Sequence, residues 1–138
     1  MSTKATKRTI GGILYPKEDI PVMPPRTLLK EALEMMTAKR LGLACVIDDN
    51  GKLIGLFTDG DLRRLLLKSQ KPLSALFADD IINHARTKFT SIDQNTGIDE
   101  ALSLLQQHEI FDLPVLDQNG GLKGVMHLHP ALKALLAK

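Results

Sequence analysis

The chain has 138 residues, enough for one domain or two very small ones, and its 43% hydrophobic content supports a core built mostly of aliphatic side chains, since it holds four Phe, one Tyr and no Trp. Eighteen basic and sixteen acidic residues are interspersed along it, and the formal net charge of +2 argues against nucleic-acid binding. No apolar run is long enough to span a membrane or to form a signal-peptide core.

Residues 1–12 (MSTKATKRTIGG) are basic, polar and glycine-ended, and predict a flexible leader. Residues 20–25 (IPVMPP) predict a short extended segment, because three prolines forbid a helix interior. Thr27 is then placed to cap a helix with Lys30 and Glu31 in its first turns. Its buried face is Leu28, Leu29, Ala32, Leu33, Met35 and Met36, and Gly42 is expected to stop it. Residues 44–47 (ACVI) and 53–57 (LIGLF) read as strands around Asp49-Asn50-Gly51, a hairpin signal. The single cysteine, Cys45, lies in the first of these strands and reads as a small buried hydrophobe. No disulfide can form within the chain, which is compatible with a reducing cytoplasm.

The second strand ends in Thr58-Asp59-Gly60-Asp61, and residues 62–67 follow with helical spacing, so Thr58 or Asp59 is expected to cap that helix. A hydroxyl, a carboxylate and helix-terminal N–H groups meeting at one corner can also hold a small anionic ligand. Residues 69–74 (SQKPLS) predict a linker and residues 76–82 a turn or short helix. Residues 88–92 (KFTSI) alternate like a strand, and residues 96–100 open a helix carrying Ala101, Leu102, Leu104 and Leu105. Strands at 113–116 and 122–126 flank a turn at 117–121. A last helix runs over 130–136, with Pro130 in a first-turn position where its missing N–H costs little.

The second half repeats the first. Shifting the sequence by 69 lays Thr27 on Thr96, Glu31 on Glu100, Val46 on Val115, Asp48 on Asp117, Asn50-Gly51 on Asn119-Gly120, Leu53 on Leu122 and Gly55 on Gly124, with no gap. Turn, helix-entry and core positions coincide together, so each half reads β-α-β-β-α. The expected organisation is a leader at 1–12, repeat 1 at 13–70 and repeat 2 at 71–138. The fold class is α/β (α+β), with the two repeats packed sheet to sheet about a pseudo-twofold axis.

Residues 46–62 (VIDDNGKLIGLFTDGDL), with Leu113-Pro114-Val115-Leu116-Asp117 and Gly124-Val125-Met126, resemble a tandem pair of cystathionine-β-synthase (CBS) domains, a Bateman module, over about residues 13–138. Gly55-Leu56-Phe57-Thr58-Asp59-Gly60-Asp61-Leu62-Arg63-Arg64 and Gly124-Val125-Met126-His127-Leu128-His129 are similar in particular to the C-terminal CBS pair of D-arabinose 5-phosphate isomerases. That resemblance implies a regulatory region of an enzyme whose sugar isomerase domain is missing from this chain, in the pathway to the bacterial sugar Kdo. It implies a cytoplasmic homodimer and no catalysis or required cofactor in this chain. The expected effector is an adenine nucleotide or a CMP-sugar in the cleft between repeats.

Within the resemblance, Gly55-x-x-Thr58-x-x-Asp61 matches the ribose-binding pattern of CBS domains. Gly55 would allow close approach, Thr58 would meet a phosphate or sugar oxygen, and Asp61 would accept from two ribose hydroxyls. The alternative is structural, with Thr58 a helix cap and Asp61 a first-turn acid. In the second half the equivalents are His127 and Pro130, so no symmetric ribose site is expected. His127 and His129 would share one strand face, and one imidazole could donate to a ligand's anionic group. Arg63 is expected to point at a ligand or partner, and Arg64, which aligns with Lys133, at solvent. No metal-ligand cluster, P-loop or nucleophile triad is present in the sequence. The competing reading is a dimerisation module without a ligand, assembled through the helices at 62–67 and 132–136.

Overall fold

The computed structural model of the chain describes residues 13–136; the predicted leader, residues 1–12, lies outside the described residues. Strand β1 (Tyr15–Pro16) comes first. Then follow β2 (Val22–Met23), α1 (Leu29–Lys39), β3 (Leu43–Ile47), β4 (Leu53–Thr58), α2 (Asp59–Lys68) and α3 (Leu73–Phe77). After a 3-10 turn (Ile81–Asn83) come β5 (Ile92–Asp93), α4 (Ile98–His108), β6 (Asp112–Leu116), β7 (Leu122–His127) and α5 (Leu128–Leu136). The β-α-β-β-α order expected of each half is present in both.

These elements form two compact units, one of residues 18–89 and one of residues 90–136 joined by residues 13–17. The expected cut at residue 70 is not where the packing divides. Residues 71–89 stay with the first repeat, because Leu76 and Ile81 fill its core. Residues 13–17 join the second, because β1 pairs with β7 through Tyr15 opposite Val125.

In the unit of residues 18–89, β3 is the central strand between β2 and β4. The β2–β3 pairing is parallel, which requires a crossover, and α1 supplies it. Leu29, Ala32 and Met36 form the buried stripe of α1 and pack on Met23, Val46 and Phe57. Cys45 is fully buried in β3. In the other unit the sheet order is β1-β7-β6-β5, and Ile98, Ala101 and Leu105 give α4 the same stripe at the same spacing. Both hairpins turn through a glycine with positive φ, Gly51 at 82° and Gly120 at 86°, a conformation that glycine adopts without steric cost. Asp48 and Asp117 brace the two turns from their side chains.

Several local expectations are corrected. The N-cap of α1 is Leu28 rather than Thr27, whose carbonyl is taken by the Ile81 N–H at 2.7 Å. Glu31 closes the helix end by accepting from the Leu28 N–H at 3.0 Å. Arg40, not Gly42, ends α1, with φ of 57°, and Glu109 ends α4 in the same left-handed conformation. Helix α3 occupies part of the expected linker at 69–74. The strand expected at 88–92 is only Ile92–Asp93, because the preceding chain is held at the edge of β4, where Arg86 and Leu56 exchange two backbone hydrogen bonds of 2.8 and 2.9 Å.

Candidate functional site

The corner where β4 enters α2 gathers two of the predicted site residues, Thr58 and Asp61. Thr58 is the N-cap, and its Oγ1 accepts from the Asp61 N–H at 3.2 Å. Asp61 Oδ2 in turn accepts from the Thr58 N–H at 2.9 Å and from the Thr58 hydroxyl at 3.0 Å. This is a capping box with aspartate in the role usually taken by glutamate. Two arginines complete it. Arg64 donates to Asp61 Oδ1 at 2.7 Å, and Arg86 donates through Nε to Oδ2 at 3.2 Å.

Asp61 is 8% exposed and is the one buried charged residue among those described. Burial alone would raise its carboxyl pKa. Arg64, the Thr58 N–H, Arg86 and the Thr58 hydroxyl outweigh that, and the pKa lies below its ordinary value. The group is therefore an anion at neutral pH, held by its own chain.

Arg64, expected at solvent, is half exposed but also bonds Asp61. Arg64 stands three residues after Asp61, so the two share a helix face, while Arg63 at two residues does not. Arg63 is exposed and forms no ion pair among the described residues. Gly55 does allow close approach, but the group that approaches is protein. A Cβ there would lie 3.1 Å from the Ala85 Cβ and 3.3 Å from the Ile82 side chain.

The histidines lie in the other unit. His127 ends β7 and His129 belongs to α5, so they do not share one strand face as expected. Their rings nevertheless lie 5.3 Å apart, and Tyr15 stacks on His127 at 6.3 Å. His127 Nδ1 lies 2.6 Å from Asp112 Oδ1, within hydrogen-bond distance. Pro130, the counterpart of Asp61, sits in the first turn of α5 as expected.

Arg86 and Asp112 are the residues that sequence reasoning missed. Asp112 was within reach of it, because the register of the β6–β7 hairpin sets Asp112 directly opposite His127. Arg86 carries no such signal, being 25 residues from Asp61 in an irregular segment. Among the described residues no group of His, Cys, Asp and Glu could hold a metal ion, and no helix is long and apolar enough to cross a membrane. A shallow recess of about 470 Å³ lies along α1 between Met23 and Met35, and it shares no lining residue with the Thr58–Asp61 corner.

The CBS domain family model matches residues 10–68 and again 78–136, and the chain belongs to that family as a tandem pair. It is similar to arabinose 5-phosphate isomerase KdsD of Yersinia pestis, 34% identical over 125 residues, which cover 91% of this chain and 37% of the relative. It also matches an uncharacterized protein of Helicobacter pylori, 36% identical over 119 residues, covering 83% of this chain and 34% of that protein. The chain thus spans about a third of the length of these curated relatives. Among solved structures it is similar to CBSX2 in complex with AMP, at a TM-score of 0.80 and 29% identity, with 93% of this chain and 96% of that one covered. A CBS domain-containing protein of Bacillus anthracis shares the fold at a TM-score of 0.85 and 15% identity, over 99% of both chains.

Proposed function

We propose that this CBS pair is a regulatory, ligand-sensing region whose Thr58–Asp61 corner binds an adenine nucleotide, with a CMP-sugar as the second candidate effector. The observation that carries the reading is a buried carboxylate kept ionised beside a hydroxyl at a helix N-terminus, the groups that a ribose diol and a phosphate require. The AMP bound to CBSX2 supports an adenine-type ligand. The likeness to KdsD supports an attached or associated cytoplasmic sugar isomerase as the regulated partner, in the pathway to Kdo. Isomerisation would belong to that partner, and this chain would act through binding: a ligand that prefers one conformation shifts the equilibrium of whatever is coupled to it. Gly55 serves this site by seating the segment that carries Arg86. Arg63 is proposed as an outer contact for that ligand's anionic groups, and His127 and His129, in the unit of residues 90–136, as contacts for an anionic group there.

One observation favours the rival reading, a dimerisation module without a ligand. Every oxygen of Asp61 is already engaged by the chain itself. Titration calorimetry with AMP, ATP and CMP-sugars separates the two. Saturable heat with one of them is the expected result. No heat with any of them, from a protein that sediments as an intact dimer, contradicts ligand sensing and favours the structural role.

A further inference from the structure

The Asp61 carboxylate has about four lone-pair positions, and it already accepts four hydrogen bonds: from the Thr58 N–H, the Thr58 hydroxyl, Arg64 and Arg86. Oδ2 takes three of them and Oδ1 one, so a sugar diol that donates to both oxygens must displace a donor from Oδ2. The two bonds from Thr58 are fixed by the helix cap. Arg86 is differently placed. Its backbone is pinned to Leu56 by two hydrogen bonds, while its side chain is 45% exposed and reaches Asp61 only through Nε at 3.2 Å. It is anchored at the root and partly exposed at the tip.

Displacing that guanidinium leaves a cation without its anion and a buried carboxylate with less compensation. An uncharged ligand replaces neither interaction in full. A ligand carrying a phosphate offers the guanidinium a bidentate acceptor within the reach of one side chain. We propose that Arg86 is a built-in occupant of Asp61 that makes the corner selective for phosphorylated nucleosides, by exchanging the carboxylate for the ligand's phosphate when the sugar binds. This rests on the nucleotide-binding reading above and names the ligand class that reading requires.

The test is calorimetric titration of the parent chain and of Arg86→Gln with AMP and with adenosine. Glutamine keeps the backbone bonds to Leu56 and removes the guanidinium with its charge, and circular dichroism checks that the variant is folded. The parent is expected to bind AMP at least about tenfold more tightly than adenosine, and Arg86→Gln to bring the two within about threefold. An AMP-to-adenosine ratio unchanged in Arg86→Gln overturns the role of Arg86 and leaves nucleotide binding standing. Absence of binding by either ligand to both folded proteins overturns nucleotide binding itself, and this proposal with it.

Discussion

Asp61 keeps its charge although it is 8% exposed, because four donors surround its two oxygens. A carboxyl whose pKa is lowered by folding binds fewer protons in the folded state than in the unfolded state near pH 4. Its contribution to stability is therefore complete above its ordinary pKa and is lost as pH falls through the lowered value. Asp79, lowered by His84 and Lys71, and Asp117, lowered by the backbone N–H groups of Gly121 and Asn119, act in the same direction. Asp61→Asn retains an oxygen for the Thr58 N–H but strands two guanidinium groups. At pH 7 it is expected to be about 1–3 kcal/mol less stable than the parent in urea unfolding, with the difference shrinking toward pH 3. A difference independent of pH would contradict the electrostatic account. The Thr58–Asp61 pair was legible in the sequence because capping is local, involving residues three apart. Arg86 was not, because its approach depends on how a distant irregular segment seats against β4.

Both repeats end their first helix with a non-glycine residue in the left-handed region, Arg40 at 57° and Glu109 at 55°. A side chain there crowds its own backbone, so Arg40→Gly and Glu109→Gly are each expected to raise stability by about 0.5–1 kcal/mol, measured by urea unfolding. The glycine at the centre of each second hairpin strand makes the opposite case. At Gly124 an added methyl meets the Tyr15 backbone, and at Gly55 it meets the Ala85 and Ile82 side chains. Side chains give way more easily than backbone. Gly124→Ala is therefore expected to cost about 1–3 kcal/mol and Gly55→Ala less, as read by thermal unfolding. The hairpins and the buried stripes of α1 and α4 were legible because turn chemistry and periodicity are written into neighbouring residues. The start of α1 and the strand at 88–92 were not legible because long-range bonds decide them: Ile81 to Thr27, and Arg86 to Leu56.

At the scale of the whole molecule the repeat is lopsided. The scaffold positions Asp48, Gly51 and Gly55 recur as Asp117, Gly120 and Gly124, while Thr58 and Asp61 give way to His127 and Pro130. The internal repeat made the CBS pair legible, but not the division into units, which depends on where residues 13–17 and 71–89 pack. In the unit of residues 18–89, Leu67 is 81% exposed with Leu66 and Leu73 also exposed; in the other unit Leu136 is 80% exposed. If these helices make the proposed homodimer, Leu67→Glu is expected to move the protein toward monomer in sedimentation velocity, while an unchanged dimer would exclude α2 from the interface. The Thr58–Asp61 corner is proposed as a nucleotide site. The most direct measurement of it compares AMP affinity in the parent and in folded Asp61→Asn by titration calorimetry. A loss of at least about tenfold in the variant is predicted, and equal affinity in the two proteins would contradict the claim.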